Sequence, residues 1–166
     1  MSESATHLED GPIVVGIKPG LPSRLIETAE RTAGSMDCAV IFAYVELNSA
    51  LVELEYTEPR TRDSLDPEID EEMSAVAAAI SDMLTAALAE SRVQWSFRVL
   101  AGDPASALSR LAADVGSRML IVGTRRHGAL HRVEEFFTGS LAKALAMGQD
   151  RPVLLVPMIQ EAPPPE

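Results

Sequence analysis

Asp103-Pro-Ala-Ser-Ala-Leu-Ser-Arg-Leu-Ala-Ala-Asp-Val-Gly-Ser-Arg-Met-Leu-Ile-Val-Gly123 encodes one helix followed by one strand. Asp103 is an N-cap residue, with a carboxylate that can accept a backbone amide. Pro104 stands at the first helical position, where its missing amide costs nothing. Leu108, Leu111, Ala112 and Val115 then fall on one helical face. Met119 to Val122 is a short, unbroken apolar run, the pattern of a strand covered on both faces.

The same alternation recurs outward in both directions. Ile13 to Ile17 is a β-branched run closed by Pro19-Gly20, and Ser23 to Ala33 carries Leu25, Ile26, Ala29 and Ala33 at helical spacing. Cys38 to Val45 is a second apolar run. Val93, Trp95, Phe97 and Val99 alternate with polar Gln94, Ser96 and Arg98, which predicts a strand with one wetter face near a sheet edge. Asp66-Pro67-Glu68 repeats the cap-and-proline device ahead of Ile69, Met73, Val76, Ile80, Met83, Leu84, Ala87 and Leu88. A last helix starts near Thr138 with Leu141 and Leu145, and Val153 to Val156 is the final strand. Apolar strands alternating with helices specify an α/β fold: a Rossmann-like three-layer sandwich with a five-stranded parallel sheet and helices on both faces.

Composition narrows the function classes. The 166 residues fit one domain; 46% are hydrophobic but only 4% aromatic, so the core is aliphatic. A net charge of −11 disfavours nucleic acid and anionic lipid as partners. The polar start lacks a signal-peptide pattern and no apolar run reaches membrane-span length, which predicts a cytoplasmic protein. Residues 1–11 and 158–166 read as flexible tails, the second rich in proline, around a domain spanning 12–157. The one cysteine, Cys38, reads as a small buried hydrophobe. Glu46 to Glu72 holds ten acids and two arginines, a net −8. It reads as a solvated acidic connection, with a lid or partner-binding loop as the other reading.

Ligands of open α/β sheets collect beyond the carboxyl ends of the strands. Two such ends are unusual here: Gly16-Ile-Lys18 after the first strand, and Gly123-Thr-Arg125-Arg126-His127-Gly128 after the fourth. The second leads to Thr138-Gly139-Ser140 at a helix start. Glycine permits close backbone approach, and a helix N-terminus offers free amides to an anion. Arg125, Arg126 and Arg132 give residues 123–132 a net +3 within an acidic chain. The segment is read either as a phosphate site or as a glycine turn, a helix cap and surface arginines. No Gly-x-Ser-x-Gly elbow, P-loop lysine or Gly-x-Gly-x-x-Gly fingerprint is present. His127 and His131 are spaced i, i+4 without a completed ligand set, so no metal is implied. These features predict a binding or regulatory protein and no catalytic residue.

Met119-Leu-Ile-Val-Gly-Thr124, Phe137-Thr-Gly-Ser-Leu-Ala142 and Arg151-Pro-Val-Leu-Leu-Val-Pro157 together resemble the universal stress protein family, over about Pro12 to Pro157. The resemblance implies a five-stranded parallel sandwich and a homodimer meeting through its last strands. Val153 to Val156, apolar and last, suits such an edge. One branch of the family binds ATP through a glycine, two residues, a second glycine, nine residues, then glycine and serine or threonine. Gly123 matches the first glycine, and Gly139 with Ser140 match the final pair. Arg126 stands where the second glycine belongs, and twelve residues separate it from Gly139. Sliding the second glycine to Gly128 places four residues before it and ten after. Lys18 takes the position of an aspartate that the ATP binders carry after strand one. Val45, Val122 and Leu141 fall where the family lines its nucleotide cleft. The implied ligand contacts are therefore Gly16, Lys18, Val45, Val122, Gly123, Arg125, Arg126, His127, Gly139, Ser140 and Leu141. The implied ligand is ATP, another adenine nucleotide or another phosphorylated molecule, held weakly or in altered form. The alternatives are a dimer acting through protein contacts alone, and a nucleotide hydrolase on the same fold.

Overall fold

The computed structural model describes residues 11–20, 23–46, 75–125 and 139–158; for Arg125, Gly139 and Ser140 it describes the backbone alone. In chain order the elements are β1 (Ile13–Ile17), α1 (Ser23–Met36), β2 (Val40–Glu46), α2 (Ala75–Ala87), β3 (Trp95–Ala101), α3 (Pro104–Asp114), β4 (Met119–Arg125), α4 (Gly139–Gly148) and β5 (Val153–Met158). The strands form one sheet in the order β3-β2-β1-β4-β5, and every pairing is parallel. The α/β reading of the sequence holds. Residues 1–10 and 159–166 of the expected tails lie outside the described residues, as does 47–74 with Asp66-Pro67, Ile69 and Met73.

Alternation along the strands divides the core into two layers. Ile13, Val15, Ile17, Val40, Phe42 and Ile121 face α1 and α2, where they meet Leu25, Ala29, Ala33, Ile80 and Leu84. Val14, Ile41, Ala43, Leu120 and Val122 face α3 and α4, where they meet Leu108, Leu111, Ala112 and Leu145. The central strand β1 is closed on both faces, with Ile13, Val14 and Val15 each 0% exposed. That is why its sequence runs apolar without alternation.

The helix ends are built locally. Asp103 accepts from the Ser106 amide at 2.9 Å and from the Ser106 hydroxyl at 2.8 Å, so the Asp-Pro cap forms as the sequence predicts. Gly116, at φ 59°, ends α3: its amide donates to Ala113 at 3.2 Å and the Ser117 amide donates to Ala112 at 2.8 Å. Gly11 packs so closely on the Gly116 carbonyl that a side chain there has no room. Arg118 ties this corner together, its Nε donating to the Gly11 carbonyl at 2.7 Å.

Four readings are corrected. β3 is an edge strand as expected, but its polar face is wet only in part: Gln94 just before it is exposed, whereas α3 packs over Ser96, which is buried, and Arg98 Nε is buried without a hydrogen-bond partner among the described residues. Val76 and Ala87 turn outward on α2, whose inner face is Ala77, Ile80, Leu84 and, just beyond, Leu88. Cys38 is only partly buried, because it precedes β2 at the rim of the α1/α2 layer. β5 runs one residue past the expected boundary, and Met158, assigned by sequence to the tail, is buried.

Candidate functional site

The strand order reverses between β1 and β4: the chain moves outward through β2 and β3, then returns to the far side of β1. Such a switch point leaves a crevice at the carboxyl ends of the two strands. Gly16 and Val122 are direct partners across it. Lys18 follows β1 and is half-buried; Gly123 and Thr124 continue β4 and are half-buried. The backbone of Gly139 and Ser140 opens α4, the helix entered from β4. Val45, Val122 and Leu141 share one apolar cluster on the α3/α4 face, with Val122 buried and the other two at its edge. The structure thus places the apolar members of the expected site in one layer of the core.

The glycines carry a second message. A side chain at Gly16 would meet Leu108 Cδ1 and Val122 Cγ1, each at 3.1 Å. One at Gly123 would meet Met158, with Cγ at 3.1 Å and Cε and Sδ at 3.3 Å. Both positions therefore require a small residue for packing, whatever else they do. Met158 also fills the α1/α2 side of Gly123. Arg126, His127, Gly128 and the remainder of the basic segment through Thr138 lie outside the described residues. Of Arg125 only the backbone is placed, in register with Met158.

Two titratable groups lie elsewhere in the fold. The Tyr44 hydroxyl on β2 is held above its ordinary value, first by burial and then by the neighbouring Glu46 charge. Burial likewise pushes the Cys38 thiol up, which keeps it in its unreactive protonated form at neutral pH. Among the described residues no group of three or more His, Cys, Asp or Glu side chains is placed to hold a metal ion. No described helix is long and apolar enough to cross a membrane.

The sequence profile of the universal stress protein family matches residues 11–157. The chain belongs to the universal stress protein family. Solved structures of other universal stress proteins have the same fold. One from Lactobacillus plantarum is 16% identical, covering 89% of this chain and 98% of its own, with a TM-score of 0.60. One in complex with cAMP is 22% identical, covering 90% and 99%, at 0.55. One from Archaeoglobus fulgidus in complex with dAMP is 16% identical, covering 88% and 97%, at 0.56. No curated protein sequence matches the chain. In this universal stress protein, sequence reasoning passed over Met158, which packs against Gly123.

Proposed function

We propose that this universal stress protein is a regulatory domain that binds an adenine nucleotide, or another phosphorylated ligand, in the crevice between β1 and β4. The observation that supports it best is convergence at the switch point: Gly16, Lys18, Val122, Gly123 and the start of α4 meet at one end of the sheet. Val45, Val122 and Leu141 supply an apolar wall for a base, and Lys18 with the α4 amides supplies attraction for phosphate. Relatives of the same fold are known in complex with cAMP and dAMP. Arg125, Arg126 and His127 extend the positive charge from the adjoining segment. Binding changes which partner the domain meets, and no turnover is involved. Calorimetry with ATP, ADP, AMP and cAMP tests the reading. A dissociation constant in the micromolar to millimolar range is expected, and its disappearance in Gly139→Trp completes the assignment. Unchanged affinity in that variant removes α4 from the site.

A second reading has its own support. Lys18 reverses the charge found in the ATP-binding branch, and Met158 fills one side of Gly123. A dimer acting through protein contacts alone shows no nucleotide in any of these titrations. Phosphate release that is lost in Ser140→Ala would instead mark a hydrolase. Under either binding reading a second copy pairs along β5. That strand is an edge of the sheet and exposes Leu154 and Leu155 to 36% and 45%.

A further inference from the structure

We propose that the outer edge of β3 is an interaction surface that accepts an extended, acid-bearing strand of a partner protein, with Arg98 as the residue that selects it. β3 closes one end of the sheet, and among the described residues no strand pairs with its outer side. An edge strand presents a row of free amides and carbonyls, which a further strand can complete. A proline, a bulge or a very short strand commonly blocks such an edge. β3 has none of these: its seven residues pair with Val40 to Glu46 one for one. Its single charge is Arg98. Trp95 and Phe97 pack half-buried on the α1/α2 layer, and Leu100 packs on the α3/α4 layer. Alternation puts Arg98 on the face of Ser96 and Leu100, the face that α3 covers.

Arg98 decides what this edge admits. Its Nε is buried and has no hydrogen-bond partner among the described residues. A donor left in that state is costly, and covering the guanidinium further with an apolar strand adds to the cost. Neither β3 nor β5 contains an acid, so a second copy laid here by either strand brings no carboxylate. An inward-facing charge of this kind guards an edge against self-pairing. A strand with Asp or Glu opposite Arg98 removes the cost instead. Residues directly opposite in a strand pair share a face, with Cβ atoms about 4.5–5.5 Å apart, so the carboxylate reaches the guanidinium. The residues on either side of that acid turn to the opposite face, beside Phe97 and Val99, where apolar side chains fit. The partner is therefore an extended segment with an acid between two apolar residues.

The test is calorimetry of the full chain with the peptide acetyl-Thr-Thr-Val-Glu-Val-Thr-Thr-amide and with its glutamine counterpart, on wild type and on Arg98→Met. Methionine keeps an unbranched stem and removes the unpaired donor, so the fold is retained. Wild type is expected to bind the glutamate peptide about tenfold or more tighter than the glutamine peptide. A net charge of −11 works against that preference, so it marks a local cation. Arg98→Met should bind the two peptides equally. Amide hydrogen exchange should slow across 95–101 when the glutamate peptide is added, and stay unchanged across 153–158. Wild type that binds no glutamate peptide, or binds both peptides equally, overturns the proposal without recourse to any variant. So does protection at 153–158 in place of 95–101, or a preference for glutamate that survives in Arg98→Met.

Discussion

Gly123 and Gly16 are two glycines that face opposite layers, and each is backed by a different kind of side chain. Gly123 lies under Met158, whose unbranched chain can shift by a few tenths of an ångström. Gly16 lies between Leu108 and Val122, branched and buried, which cannot. Gly123→Ala is therefore expected to destabilise by about 1 kcal/mol, and Gly16→Ala by more, toward about 3 kcal/mol. Urea denaturation measures both. Pairing Gly123→Ala with Met158→Ala should give a combined effect smaller than the sum, because the first substitution's clash is with the side chain that the second removes. Sequence reading singled out both glycines, but only as points of ligand approach. Which atoms stand over a glycine depends on residues distant in the chain, Leu108 for one and Met158 for the other. Only the assembled sheet brings them there.

Helix α3 carries its own start signal, and its stability should follow that signal with pH. Hydrogen bonds from the Ser106 amide and hydroxyl hold the Asp103 carboxyl below its ordinary value. A lowered carboxylate pKa stabilises the folded state above the unfolded value, near 4, and that contribution is lost as pH falls through the folded value. Asp103→Ala is expected to cost about 1 kcal/mol at neutral pH. Melting curves at pH 7 and below about pH 4 should show the gap between variant and wild type closing in acid. The Asp-Pro cap was legible because every atom in it comes from four consecutive residues. The wet face expected for β3 was misread at Ser96 for the opposite reason. Gln94, Ser96 and Arg98 look solvent-facing in sequence, yet α3 from later in the chain covers Ser96. The ends of β4 and β5 were read short because pairing there uses Gly123, Thr124 and Pro157, which lengthen a ladder without extending an apolar run.

At the scale of the whole molecule, two apolar layers hold one sheet, and the layers do not share side chains. Leu84 on α2 is 0% exposed within the α1/α2 layer. Leu84→Ala is expected to cost about 2–5 kcal/mol in urea unfolding, within the range for a buried leucine. It should leave the crevice wall of Val45, Val122 and Leu141, which belongs to the other layer, in place. Assembly depends on different residues again. Leu155→Lys on the exposed edge strand should shift light scattering from dimer to monomer while leaving the melting temperature of the subunit fold nearly unchanged. A wild type that is monomeric at high concentration removes the pairing along β5.

Trp95, the single tryptophan, opens β3 beside Phe42, with ring centroids 6.3 Å apart at 75°. It is paired with Val40, the first residue of β2, at the amino ends of the strands. The crevice lies at their carboxyl ends. The indole is thus a built-in optical probe of the α1/α2 layer, quiet toward anything that enters the crevice. Its emission will follow unfolding of every variant above except Gly139→Trp, which adds a second indole, while calorimetry follows the ligand, and a loss of binding with unchanged emission separates a change at the crevice from a loss of fold.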